Sequence, residues 1–430
     1  MNVLILGSGG REHALAWRIS KSQHLNQLYV APGNAGTLNV ATNIPIVPTE
    51  FLEIKNFVLK NNIKMIIVGP EAPLVQGIKD FFDETDLKDV HIIAPSKAAA
   101  MLEGSKDFAK LFMQENNIPT AKYQTFTAFS VDDGKAFLEK LKPPYVLKAD
   151  GLAGGKGVLI LDDIKDAKSQ LEAMLLHDKF GDAANQVVIE EFLDGTEVSV
   201  FVLTDGYHYK ILPTAKDYKR IGDGDKGLNT GGMGAVSPNL LADDHFLKKV
   251  EQSIIKPTLN GLQKRNYKYK GFLFLGLMII NNDPYVIEYN VRLGDPETQA
   301  ILPRIETDLL ALLIKTGEGK LNDIDLKIDQ NFSASLILAS AGYPGKYEKG
   351  KVITGLESLD EDQIVFHAGT KKSNGDVLTS GGRVLAVTSL NAELKTAISQ
   401  SYAKATKIKF NGKYSRTDIG EDLLNIQKSN

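Results

Sequence analysis

Lys148-Ala-Asp-Gly-Leu-Ala-Gly-Gly-Lys-Gly157 lies between two apolar runs, Tyr145–Ala149 and Val158–Leu161, and its reading decides the kind of domain at the centre of this chain. A Walker A loop carries Gly six residues before its Lys and Ser or Thr after it, and here those positions hold Asp150 and Gly157, so this is no P-loop. What remains is a strand–loop–strand flap. Its backbone N–H groups can close over an anion, and Lys148 at the strand end supplies a point charge. A plain hairpin rarely carries four glycines and two lysines. The flanks predict a small unit of four strands and two helices: strand Tyr123–Phe126, helix Val131–Leu141, the two strands of the flap, helix Lys165–Leu176 and strand Val187–Phe192.

Further along stands Glu190-Glu191-Phe192-Leu193-Asp194-Gly195-Thr196-Glu197. A segment leaving a strand presents C=O and N–H groups to a purine edge, and a carboxylate a few residues on can take ribose hydroxyls. Alone, it would read as a solvated turn. Tyr285-Val-Ile-Glu288-Tyr-Asn290-Val-Arg292 is more informative, because alternation along a strand puts Glu288, Asn290 and Arg292 on one face. Two oxygen donors about 6.5–7 Å apart can share a hard cation, and oxygen-only ligands suit Mg²⁺ or Mn²⁺ bound with nucleotide phosphates. Arg292 beside them can hold a phosphate oxygen. The bland alternative is the solvent face of an edge strand. Two polar, glycine-dense segments, Asp217-Tyr-Lys219-Arg220 through Asn229-Thr-Gly-Gly-Met-Gly234 and Gly294-Asp295-Pro296-Glu297, flank this strand and read as binding loops. Between them a helix is expected near His245–Arg265, then a hairpin Phe272–Ile280/Tyr285–Tyr289 turned at Asn281-Asn282-Asp283-Pro284. Ile221–Gly234 reads as poor in regular structure.

Toward the N-terminus, Val3–Leu6, Leu28–Val30, Met65–Val68 and Val90–Ala94 alternate with helical patterns such as Glu12–Ser20 and Phe51–Lys60, which predicts βαβ units and a parallel sheet. One long helix, Ala98–Asn116, should follow. Gly7-x-Gly9 after the first strand is two thirds of a dinucleotide fingerprint, but Glu12 occupies the third glycine position. An NAD-linked oxidoreductase rests on that pair alone and leaves the Lys148 loop and the Glu288 strand unexplained. A phosphate at this helix N-terminus, with Arg11 adding charge, is a better use of the loop; a tight turn with a solvated Arg is the plain one. Beyond about Asn331, strands Ser335–Ser340, Ile364–Gly369 and Arg383–Val387 and helix Ala392–Ile408 predict a small α+β domain.

The 430 residues suffice for several cores, and 50 Lys+Arg against 53 Asp+Glu gives no electrostatic case for nucleic acid or an anionic membrane. There is no Cys, which removes disulfides, thiolate nucleophiles and Cys-ligated metal. The first residues do not resemble a signal peptide, no apolar run approaches the length of a membrane span, and neither His-Glu-x-x-His nor a nucleophile elbow occurs.

Together these segments resemble the glycinamide ribonucleotide synthetases, ATP-grasp ligases of de novo purine synthesis. The likeness runs from Gly7-Ser-Gly-Gly-Arg-Glu-His-Ala-Leu through Pro32-Gly-Asn-Ala-Gly-Thr37, Val68-Gly-Pro-Glu-Ala-Pro-Leu, Leu102-Glu-Gly-Ser-Lys106, the Lys148 loop, Asn229–Gly234 and Arg292–Glu297 to Phe366-His-Ala-Gly-Thr370. It implies an α/β and α+β multidomain chain: an N-terminal parallel (pre-ATP-grasp) domain over 1–102, an ATP-grasp domain over 103–330 with a mobile lid at about 120–192, and a C-terminal α+β domain over 331–430. It implies that ATP, glycine and 5-phosphoribosylamine give glycinamide ribonucleotide, ADP and phosphate through a glycyl phosphate. Lys106 and Lys148 would contact phosphates, Gly154, Gly155, Lys156 and Gly157 would cover them, Glu190, Glu191, Phe192 and Leu193 would face adenine, and Glu197 ribose. Glu288 and Asn290 would hold Mg²⁺ or Mn²⁺, with Arg292 and Lys148 neutralising the transferring phosphoryl. Gly9, Gly10, Arg11, Asp217, Lys219, Arg292, Gly294 and Asp295 would serve glycine and the ribosylamine. Many ATP-grasp enzymes carry a further acidic ligand where this chain has Gly276. Another ATP-grasp carboxylate–amine ligase or carboxylase shares the flap and metal strand but not Thr230–Gly234 or Leu293–Glu297. A cytoplasmic monomer in transient contact with neighbouring pathway enzymes completes the expectation.

Overall fold

The computed structural model describes residues 1–152, 157–177, 185–357 and 363–429. Strands Asn2–Gly7, Gln27–Pro32, Ile63–Val68 and His91–Pro95 pair in parallel, as the βαβ pattern predicts. Val3–Leu6 and Met65–Ile67 are fully buried, which is why these strands read as unbroken apolar runs: helices cover both faces. Tyr269–Ile280 begins by pairing antiparallel with Ala94 and Pro95, and then becomes the spine of an antiparallel sheet with Thr196–Thr204 and Asp283–Asn290. One sheet thus runs from the N-terminal domain into the antiparallel unit that carries Glu288.

Among the described residues, the flap unit is a four-stranded antiparallel sheet in the order Tyr123–Thr127, Gln186–Glu190, Tyr145–Ala149, Val158–Leu161, backed by helices Val131–Leu138 and Ile164–Leu176 around Phe126, Leu147, Leu171 and Ile189. The C-terminal sheet combines Phe332–Ser340, Arg383–Asn391 and Gln363–His367 with Lys216–Asp217 and Gly234–Ser237, two strands contributed from far upstream, and is backed by helix Leu394–Lys407. That exchange carries the Asp217 and Thr230–Gly234 loops to the junction of all three domains.

Three local expectations change. The single helix Ala98–Asn116 is two, Lys97–Gly104 and Lys106–Glu115. Ser105 between them is extended, and its hydroxyl accepts the Phe108 N–H at 3.0 Å and donates to Asp150 Oδ1 at 3.0 Å, so a cap tied to the flap outcompetes helix continuation. The Ile221–Gly234 stretch contains a hairpin, Arg220–Gly222 with Lys226–Asn229. The turn before the Glu288 strand is only Asn281-Asn282, both at positive φ as a two-residue hairpin turn requires; Asp283 and Pro284 already pair with Ile280 and Ile279.

Candidate active site

Lys148 is buried at the end of its strand, where its Nζ donates to Glu190 Oε2 at 2.9 Å and to the Ile287 carbonyl at 3.3 Å. Lys110, which the sequence reading passed over, reaches the same Oε2 at 3.2 Å and donates to Thr120 Oγ1 at 2.8 Å. It lies one turn from Lys106 on one helix, a spacing that could have flagged it. Burial pulls the Lys110 ammonium down to about 8, with Glu190 opposing. The second oxygen, Glu190 Oε1, is buried without a hydrogen-bond partner in the structure, an acceptor that a bound group could satisfy. Lys106 donates to the Gly151 carbonyl at 3.2 Å, and burial lowers its pKa while Glu288 opposes. Glu191 accepts the Lys122 N–H at 2.9 Å, Phe192 is exposed, Leu193 half-buried, and Gly157 accepts the Ala149 N–H at 2.8 Å. Gly154, Gly155 and Lys156 lie outside the described residues.

Glu288, Asn290 and Arg292 form one hydrogen-bonded row, with Asn290 Nδ2 donating to Glu288 Oε1 at 3.2 Å and Arg292 Nη2 to Asn290 Oδ1 at 3.0 Å. Burial pushes the Glu288 carboxyl up, but Lys219, the Asn290 amide, Lys148 and Lys106 together hold it below its ordinary value, so it stands ionised. The donor set is two side-chain oxygens. Among the described residues no three His, Asp or Glu gather into a cage, so a cation held by Glu288 and Asn290 would have to take the rest of its shell from outside these side chains. Gly276 is the register partner of Glu288, and a Cβ there would stand 2.9 Å from Glu288 Cγ. A side chain at position 276 would force Glu288 to move. Arg292 is also held by Glu103, 2.7 Å from Nη2, a contact no sequence motif announced.

Lys219 pairs with Glu197 and stands 3.9 Å from Asp217. Burial raises Asp217 to about 6 against the pull of Lys219, and burial together with the nearby Asp217 charge raises Glu297 to about 8. Glu297 folds over Gly294, where a Cβ would come within 2.3 Å of its carboxylate. Arg11 is buried: Nε donates to Glu12 Oε1 at 2.6 Å, Nη1 to the Leu293 carbonyl at 3.1 Å, and its backbone N–H to Asp295 Oδ2 at 3.1 Å. Glu12 turns back to accept the Gly9 N–H at 2.6 Å, filling the space over Gly7 and Gly69. In place of a third glycine, therefore, a carboxylate occupies the helix start, and the Arg11 charge is turned into the protein. Gly10 packs against Gln299.

Beside this helix start opens a cavity of about 390 Å³ whose lining includes Ser8, Gly9, Asn34, Asp295, Thr370 and Arg383. Arg383 Nη2 is 3.3 Å from Asp295 Oδ1. Thr370 and Arg383 come from the C-terminal domain, to which the sequence reading assigned no site residue; the Phe366–Thr370 motif was the available signal. All three domains therefore meet around one polar line, from this cavity past Asp295 and Arg292 to Glu288 and Lys148.

Family models match the chain end to end: the phosphoribosylglycinamide synthetase N domain over residues 1–103, its ATP-grasp (A) domain over 104–298 and its C domain over 333–422. The chain is 45% identical over 433 residues to a phosphoribosylamine–glycine ligase of Pasteurella multocida, covering all of both. It is 44% identical over 436 residues to a bifunctional purine biosynthetic protein of Pichia angusta, of which it spans about half, 55%. A crystal structure of a Thermotoga maritima phosphoribosylamine–glycine ligase superposes with a TM-score of 0.85 at 37% identity, over 97% of this chain and 100% of that one.

Proposed function

The chain belongs to the phosphoribosylglycinamide synthetase family, and from that premise we propose how its residues divide the work of the reaction. The enzyme is an ATP-dependent ligase that joins glycine to 5-phosphoribosylamine in purine biosynthesis. Attack of the glycine carboxylate on the γ-phosphate gives glycyl phosphate and ADP; the ribosylamine nitrogen then attacks the acyl carbon and phosphate leaves. Neither step needs an enzyme nucleophile. The chain's task is to place three ligands and balance their charge.

The observation that carries the assignment is that Lys148, paired with Glu190 on the flap sheet, donates to the Ile287 carbonyl of the strand that holds Glu288 and Asn290. Nucleotide belongs between them. The orphaned Glu190 Oε1 would accept from the adenine side with Glu191, Phe192 and Leu193, Glu197 would take ribose, and Lys106, Lys148 and the Gly154–Gly157 loop the phosphates. Glu288 and Asn290 would hold Mg²⁺ or Mn²⁺, which when bound offsets charge on the phosphates. Arg292 then neutralises the transferring phosphoryl. Asp217, Lys219 and Gly294 would receive glycine. Gly9 and Asp295, braced by Arg11, would shape the 390 Å³ cavity that takes the phosphoribosyl group, with Gly10 behind them against Gln299. The working units are 1–102, 103–330 with a lid at 120–192, and 331–430. No described helix is long and apolar enough to cross a membrane; we place the enzyme in the cytoplasm as a monomer touching neighbouring pathway enzymes only transiently.

The test is phosphate release from ATP with Mg²⁺, leaving out each substrate in turn. Release should require glycine and ribosylamine together for sustained turnover, and turnover that ignores glycine would overturn the assignment.

A further inference from the structure

His13 and His367 meet across the boundary between the N-terminal and C-terminal domains. His13 lies on helix Gly10–Ile19, and its Nδ1 accepts the His367 backbone N–H at 2.7 Å, which places the His13 proton on Nε2. Both residues are buried, with ring centroids 5.6 Å apart. His367 Nδ1 is 3.1 Å from Thr370 Oγ1, and Thr370 is a wall of the 390 Å³ cavity.

Asn34 closes the arrangement from the other side. Its Nδ2 donates to the His367 carbonyl at 2.8 Å and to the Ser8 carbonyl at 2.9 Å, while its Oδ1 accepts the Gly36 N–H at 2.9 Å. Gly36 permits the two rings to approach: a Cβ there would stand 2.3 Å from His13 Cε1 and 2.6 Å from His367 Cδ2. Three cavity walls, the Ser8-Gly9 loop, the Gly33-Asn34 loop and the Ala368–Thr370 turn, are thereby fixed relative to one another through His367. His13 itself is not among the cavity-lining residues, so whatever it does for a ligand it does through His367.

We propose that His13 is a positioning residue for the second substrate: by accepting the His367 N–H across the domain boundary, it sets the Ala368–Thr370 turn as the C-terminal wall of the phosphoribosyl cavity. This rests on the cavity assignment made above. The His367 N–H is buried, so removing its acceptor leaves a donor unpaired or forces the turn to move, and either outcome changes the cavity and leaves the nucleotide cleft as it was.

In the full-length enzyme, His13→Leu should raise the KM for 5-phosphoribosylamine about tenfold while the KM for ATP and kcat stay within about twofold. His13→Asn, whose Oδ1 falls near the Nδ1 position, should restore most of the affinity. His13→Gln, whose oxygen sits one atom further out, should not. A folded His13→Leu enzyme with an unchanged ribosylamine KM overturns the proposal, as does a His13→Asn variant no better than His13→Leu. Should the Leu variant fail to fold, the Asn and Gln pair decides the question by the same measurement. Thr370→Val separates the two readings. If it raises the ribosylamine KM and His13→Leu does not, the cavity assignment stands and the positioning role falls. If neither variant moves that KM, the cavity assignment falls with it.

Discussion

Glu103 holds the Val291–Arg292 segment at two points: its Oε2 accepts the Val291 N–H at 2.8 Å and its Oε1 lies 2.7 Å from Arg292 Nη2. It does so from helix Lys97–Gly104, and the segment it secures lies just past the strand Asp283–Asn290. Both carboxylate oxygens are used, so Glu103 sets the direction of the Arg292 guanidinium together with Asn290 and the Leu293 carbonyl. Glu103→Gln keeps the shape but presents one acceptor where there were two. We expect kcat to fall about 10–100-fold, or about 1.4–2.7 kcal/mol of activation free energy, with a smaller change in the KM for ATP. Steady-state kinetics at saturating Mg²⁺ checks this, and an unchanged kcat would mean that Arg292 is oriented without Glu103.

Gly276 invites an obvious repair, since the likeness read from the sequence implies an acidic ligand at that position. The structure predicts that the repair fails. A Cβ at this position already stands 2.9 Å from Glu288 Cγ, in the middle of that side chain, and the ladder shifts register just beyond the Gly276–Glu288 pair. Gly276→Glu should therefore displace Glu288, raise the Mg²⁺ concentration needed for half-maximal rate and lower kcat. An enzyme that needed less Mg²⁺ would show that the strand can yield.

The sequence made most of this legible where a physical rule is local. Apolar runs with intervening helical patterns announced the parallel sheet, and period-two alternation put Glu288 and Asn290 on one face; the strand ends at Asn290, and Arg292 joins them from the bend beyond it through its bond to Asn290. It was silent where partners lie far apart in the chain. Nothing local says that Glu103 holds residue 292, that Lys110 shares Glu190 with Lys148, or that Lys216–Asp217 joins the C-terminal sheet. The helix expected over Ala98–Asn116 failed on a signal that is partly local, since Gly104-Ser105 joins a poor helix former to a preferred N-cap, and partly distant, since Ser105 bonds to Asp150, 45 residues away.

Glu12 offers a sharper case, because replacing it with Gly would complete a dinucleotide fingerprint on paper. In the structure that carboxylate satisfies the Gly9 N–H and the buried Arg11 Nε. Glu12→Gly leaves both without it and adds a glycine to the helix. It should cost about 3–5 kcal/mol, as breaking a buried ion pair does, plus about 1 kcal/mol of helix propensity, and confer no affinity for NAD. Urea denaturation followed by circular dichroism measures the first, and calorimetric titration with NAD the second.

The buried histidines give the enzyme a specific acid sensitivity. Burial lowers His13 to about 3, with the neighbouring His367 adding to the effect, and burial lowers His367 to about 4. In the unfolded chain both titrate near 6.5, so between about pH 6.5 and 4 the unfolded state takes up protons that the folded state refuses. Stability from this source is complete above about pH 6.5 and is lost as the pH falls, by up to about 1.4 kcal/mol per pH unit for each histidine. Asp217 and Glu297, raised to about 6 and about 8, act in the opposite sense because their folded forms hold protons more tightly than the unfolded chain does. The histidine contribution is therefore read as a difference. Between about pH 6 and 5, the stability of His13→Asn should fall less steeply than that of the parent enzyme, by about 1 kcal/mol per pH unit. Denaturant melts of both proteins at each pH measure the two slopes. Parallel slopes would show that His13 does not stay neutral in the folded enzyme.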